Sequence, residues 1–196
     1  MKNKILIIVC ILAVFSCKAQ TISLTTVDYT NVPDNAYVKD IDGKLNPFIG
    51  TWKWIDGNSE FTVVFVKKEM YDAGGTSRIK QDKIIGGYKY IENGIEIVNT
   101  LNFTTDFDPN DISTFDNYAK IITQIDNSFL ELSFGLFDKV KDKYCEGTLE
   151  LIDPLVLNGN FVATTAQWKM WQRETFTETP SAQGFSIPTD IVLTKQ

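Results

Sequence analysis

Around Glu92-Asn93-Gly94 the chain runs Tyr88, Tyr90 on one side and Ile95, Ile97, Leu101 on the other. Asn-Gly supplies the positive backbone dihedrals of a tight hairpin, and the flanking alternation favours strands over helix. Further turn signals stand at Asp126-Asn127-Ser128 and Asn158-Gly159-Asn160, and Leu130, Leu132 and Phe134 share one face of the strand that follows the first of these. Phe61, Val63 and Phe65 alternate with Thr62, Val64 and Val66 in a run that is apolar on both sides, as in a strand that is covered or curled. No segment carries a sustained helical period with a cap and a stop. The expectation is an all-β fold, an antiparallel meander of about eight to ten strands. Closure removes exposed edges, so the meander is expected to form a barrel or a flattened barrel.

At 196 residues the chain suits one domain with a well-buried core. It contains no histidine, which removes Ser-His and Cys-His nucleophile pairs and the usual imidazole zinc site. The formal charge of −6 becomes −8 once Lys2 and Lys4 leave with a cleaved leader, an acidic balance that disfavours nucleic acid as a partner.

The leader itself is MKNKILIIVCILAVFSCKAQ. Two lysines precede an apolar run from Ile5 to Phe15, too short to span a bilayer as a helix and suited to a secretory signal. Val14-Phe15-Ser16-Cys17 resembles a bacterial lipobox. The implied organisation is a signal peptide over residues 1–16, a lipidated N-terminus with tether and N-terminal arm over 17–45, and a β-barrel-like domain over 46–196. Cys17 would carry the acyl chains that hold the protein to the membrane. Lys18 occupies the place where an aspartate would retain an enterobacterial lipoprotein in the inner membrane, so an outer-membrane lipoprotein is expected. The absence of acidic residues after Cys17 points to a periplasm-facing position. With Cys10 in the leader and Cys17 acylated, Cys145 remains alone, on a strand face shared with Gly147, Leu149 and Leu151; it is expected in the core.

The segment NPFIGTWKW, Asn46 to Trp54, places Trp52 and Trp54 on one strand face after a sharp entry at Pro47 and Gly50. Gly50-Thr51-Trp52 resembles the Gly-x-Trp signature of the lipocalins and wider calycins, and Thr105-Asp106-Phe107 approximates their Thr-Asp-Tyr. The resemblance implies a tryptophan plugging the closed barrel end, covered by an arginine near the last strand. Arg173 is placed late enough for that role. The combination of Ser-Cys-Lys-Ala-Gln, AYVKDIDGKLNPFIGTWKW, IIGGYKYIENG and IPTDIVLTK is similar to a family of uncharacterised lipoproteins of the Bacteroidetes phylum, over nearly the whole chain. That resemblance implies no activity, cofactor or catalytic residue.

Two polar stretches carry residue types suited to ion or phosphate binding. Asp106, Asp108, Asn110 and Asp111 alternate like the start of a calcium loop, but Asp111 replaces the turn glycine and Asn117 the closing glutamate, so a solvated acidic loop is expected and no metal. DAGGTSRIKQ lacks Walker spacing and reads as a loop. Trp168 and Trp171 have two readings, closure of the core or the lining of an aromatic pocket. Gly50, Trp52, Trp54, Trp168, Trp171 and Arg173 are the candidate barrel-end or ligand-lining residues. No catalytic set is expected, and no cofactor. The leading expectation is a non-enzymatic envelope lipoprotein whose barrel binds a small apolar ligand or another envelope component. The alternative is a structural or interaction module acting through its surface, and a third class is a hydrolase using carboxylates or tyrosine.

Overall fold

A computed structural model describes residues 20–72, 78–106, 117–172 and 182–196. Eight strands follow one another around a closed antiparallel barrel: β3 (Gly50–Asp56), β4 (Ser59–Tyr71), β5 (Lys80–Glu92), β7 (Ile121–Ile125), β8 (Glu131–Asp138), β9 (Lys143–Ile152), β12 (Thr165–Gln172) and β13 (Asp190–Lys195). The last strand returns to the first through Thr194 opposite Lys53 and Lys195 opposite Trp52. This up-and-down order agrees with the meander read from the turn signals, and it leaves no edge among these eight strands.

The remaining strands are additions to that ring. β1 (Thr21–Ser23) pairs in parallel with β2 (Tyr37–Lys39), which pairs in parallel with the start of β5. β6 (Ile95–Asn99) pairs with the end of β5, and β10 (Leu155–Leu157) with β11 (Asn160–Val162) forms a separate hairpin between β9 and β12. Along one side, β5 thus meets β2, β7 and β6 in succession. Two ladder pairs, Ile85 with Ile122 and Gly86 with Ile121, join β5 to β7 and close the barrel there, and the Thr123 hydroxyl adds a hydrogen bond to the Ile84 carbonyl at 2.8 Å.

Local chemistry explains the hairpins. Asn93 (φ 50°) and Gly94 (φ 84°) form the turn between β5 and β6, and Asn158 (φ 51°) and Gly159 (φ 78°) the turn between β10 and β11. On β6 Val98, opposite Tyr90, is buried while Ile95 and Ile97 are exposed, and the register shifts between Tyr90 and Ile91. Asn160, taken from sequence as part of the turn, begins β11.

The N-terminal segment is more than an arm. Leu24, Ala36, Val38 and Leu45 are buried, and β1 begins at Thr21. Packing therefore runs continuously across residue 46. A polar, turn-rich composition hid this because only a few apolar residues per strand face inward.

Barrel-facing side chains fill the interior. Phe134 stacks on Trp168 with ring centroids 4.3 Å apart, and Phe61 lies 5.2 Å from Trp168 and 6.4 Å from Tyr88. Val63, Phe65, Ile84, Ile121, Leu132, Leu136, Leu149 and Leu193 complete the buried cluster. Gly147 makes the stack possible: a Cβ there would come within 2.3 Å of the Lys169 carbonyl oxygen and 2.5 Å of the Phe134 ring. At Gly135, on the outer face, an added Cβ would meet nothing within 4 Å. Gly147→Ala is expected to destabilise the protein by about 2 kcal/mol or more through overpacking, while Gly135→Ala causes no loss. Chemical denaturation of the two variants checks the contrast, and equal stability of both would contradict the packing described.

Candidate functional site

Trp52 is buried at one barrel end, its indole N–H donating to the Phe48 carbonyl at 2.8 Å. The short 3-10 turn Asn46–Phe48, with Pro47 in it, supplies that carbonyl, and Gly50 at φ 122° turns the chain into β3. The cation over the Trp52 ring is Lys195 of β13, with Nζ 5.2 Å from the ring centroid, and the same ammonium donates to the Pro47 carbonyl at 2.5 Å. Burial lowers the Lys195 pKa. Arg173, expected from sequence to cover the indole, lies outside the described residues, as does Cys17. Trp54 is half-buried and packs against the core.

The opposite barrel end is closed by the chain before β13. Trp168 donates its indole N–H to the Pro188 carbonyl at 3.1 Å, and Ile187 is buried. Asp138, fully buried, accepts hydrogen bonds from the Val140 and Lys141 amides, and from both the amide and hydroxyl of Ser186. Lys143 donates to the Ala182 carbonyl at 2.6 Å and lies 4.6 Å from the centre of the Phe185 ring. Tyr88 donates to the Phe137 carbonyl and accepts from the Lys139 amide, and burial raises its pKa.

A second polar cluster ties the N-terminal segment to β4 and β5. Lys67 Nζ lies 3.1 Å from Asp40 and 3.5 Å from Asp82. Asp40 also accepts from the Lys44 and Leu45 amides, and Asp82 from the Asp40 and Met70 amides and the Tyr37 hydroxyl. Burial, then the neighbouring Asp82 carboxylate, raises the Tyr37 pKa. Two carboxylates, a lysine and a tyrosine thus converge, as hydrolytic chemistry would need. Their lone pairs, however, go to backbone amides and to one another, which is the pattern of a structural clasp. Asp108, Asn110 and Asp111 of the acidic loop lie outside the described residues; Asp106 accepts an ion pair from Lys68 at 2.5 Å. Among the described residues no cluster of acidic or cysteine side chains could hold a metal.

The accessible aromatic surface is on the outside. Three-residue spacing on a strand sends Trp168 inward and Trp171 outward, so the two candidate tryptophans do not share a pocket. Register places Ile122, Gly135, Glu146 and Trp171 in one row across β7, β8, β9 and β12. Gly135 leaves a notch in that row. The resulting open groove, ≈ 430 Å³, is bordered by Tyr144, 67% exposed, and Trp171, 45% exposed, with Ser133 and Gln124 adding polar groups. Tyr144 is held 5.0 Å from Phe137. The alternation around Cys145 already put Tyr144 and Glu146 outward; nothing in one strand's pattern aligned them with Gly135 and Trp171, which are set by register.

A family model matches residues 1–196, the whole chain. The chain belongs to the family of unknown function DUF6705. Neither a curated protein nor a solved structure matches it. Membership carries no reaction or ligand to this family member, so the site rests on the geometry above.

Cys145 is buried, and burial pushes its thiol up to about 11. In a chain beginning at Gln20 it is the one thiol, and below pH 9 it should react with a disulfide reagent only as fast as the protein unfolds. Because the folded pKa exceeds the ordinary value of ~8.5, its stabilising contribution is complete below that value and is lost as pH rises toward 11. Cys145→Ala should flatten the fall in stability across that window. Rapid native-state labelling at pH 8 would refute the burial.

Proposed function

We propose that this DUF6705 member is a non-enzymatic, lipid-anchored envelope protein whose barrel acts as an interaction module through its outer face. The observation that carries this reading is the interior filled by Phe61, Phe134 and Trp168, with both barrel ends covered by the chain itself. Such packing argues against the barrel interior as a site for a small apolar ligand. Binding then falls to surfaces, and the groove over Gly135 combines exposed aromatic area with polar groups at its rim.

The leader supports the cellular setting: Lys2 and Lys4, the apolar run and Cys17 favour export and acylation, and Lys18 favours an outer-membrane, periplasm-facing position. It is also consistent with the resemblance to Bacteroidetes lipoproteins. A lipocalin-like reading of the closed end draws support from Gly50-Thr51-Trp52 with a cation from the last strand over the indole, Lys195 serving where that family uses arginine. The non-enzymatic reading draws on the lack of histidine and on the saturated Asp40-Asp82-Lys67 clasp. The acidic balance argues against nucleic acid.

Native mass spectrometry of the domain, purified from its own envelope without the acyl anchor, is expected to give the bare protein mass or a complex with a macromolecular partner. Trp171→Ala with Tyr144→Ala should remove the complex without lowering stability, because both side chains are on the outer face. A small apolar molecule retained in the wild-type domain and released only on denaturation would overturn the surface reading.

A further inference from the structure

Among the described residues, the hairpin of β10 and β11 has no side of its first strand covered. Leu155, Val156 and Leu157 are 67, 64 and 55% exposed, and Val162, opposite Leu155, is 45% exposed. A two-stranded hairpin is marginal in water by itself, and a contiguous aliphatic surface on it calls for a cover.

Its place in the fold identifies the cover. The hairpin lies between the end of β9 and the start of β12, at the barrel end where Lys195 reaches Pro47. Lys44 Nζ donates to the Gly159 carbonyl at the hairpin tip at 2.8 Å. Two residues before Lys44, Asp42 accepts from the Thr25 hydroxyl at 2.6 Å and from the Ser23 hydroxyl at 3.2 Å, directly after β1. The N-terminus of the folded domain and the aliphatic hairpin therefore stand at the same end. Exposed Ile41 belongs to the segment linking them.

Only three peptide steps separate Cys17 from Gln20, whose carbonyl already accepts from the Tyr37 amide at 2.8 Å. At ~3.3–3.6 Å per residue the acylated cysteine reaches no more than roughly 11 Å from Gln20. A longer tether would let the barrel hang free at any orientation; this one brings this barrel end down to the lipid surface. We infer that the β10–β11 hairpin is a second membrane contact, seating Leu155, Val156 and Leu157 in the interfacial layer of the bilayer to which Cys17 is attached. The occupant of the aliphatic patch is thus a phospholipid surface. The inference rests on the lipid-anchor reading proposed above. It fixes an orientation in which the turn between β3 and β4, at the other end, points away from the membrane, and the groove over Gly135 stays open on the barrel wall.

The test uses the acylated full-length product reconstituted in phosphatidylethanolamine–phosphatidylglycerol vesicles with brominated acyl chains. Val156→Trp adds an indole on the hairpin, and Ile55→Trp adds one at the exposed opposite end. The emission gained in Val156→Trp should be quenched and that gained in Ile55→Trp should not, with both proteins floating with the vesicles. Leu157→Trp provides the same readout if Val156→Trp misfolds. Flotation without quenching at position 156 or 157 would overturn the hairpin contact and leave the anchor intact. Failure of the wild-type chain to float would remove the anchor and, with it, the inference. A concentration-dependent dimer disrupted by Leu157→Asn, without quenching, would assign the patch to a second copy and overturn the lipid contact.

Discussion

The contact of Phe134 with Trp168 in the barrel interior governs most of what this protein can do. An eight-stranded barrel encloses a space just wide enough to be filled by side chains or to hold one small ligand, and here large rings take that space. Phe61 and Tyr88 extend the aromatic layer toward β4 and β5, and Gly147 on β9 yields the room that the Phe134 ring occupies. Interiors of this kind are packed as densely as organic crystals, so an apolar guest would have to displace rings rather than enter a void.

Closing the two ends takes polar chemistry rather than more hydrophobic area. At one end the Trp52 indole and the Lys195 ammonium both give their donors to backbone carbonyls of the 46–48 turn, and the Asp40-Asp82-Lys67 clasp fastens the segment ahead of it. At the other, Asp138 organises its own turn and the chain around Ser186. Each buried carboxylate is satisfied mainly by backbone amides, which fixes loop paths that apolar packing alone would leave free. The same contacts pull the N-terminal strands into the domain.

Strand count, antiparallel order and the hairpins at Asn93-Gly94 and Asn158-Gly159 were legible because turn chemistry and period-two alternation are local. Trp52 as an end plug was implied by the resemblance of Gly50-Thr51-Trp52 to the lipocalin Gly-x-Trp signature, not by composition or spacing alone. Lys195 was not singled out, since a lysine near a chain end carries no local mark of the ring it will cover. The parallel pairing of β1 and β2 was also hidden: three-residue strands give too short a pattern, and their partner β5 is distant in sequence. Tyr144 could be assigned to the outer face, but its meeting with Trp171 depends on the register of β8, β9 and β12.

The central claim, a barrel filled by its own aromatic side chains and shut at both ends, is tested most directly by hydrogen exchange at the tryptophan indoles, resolved by NMR. Trp52 and Trp168, buried and bonded to Phe48 and Pro188, should exchange only through global unfolding, while the exposed Trp171 exchanges rapidly. Fast exchange at Trp52 and Trp168 under conditions where the fold is stable would mean that water reaches the interior, and would contradict the account.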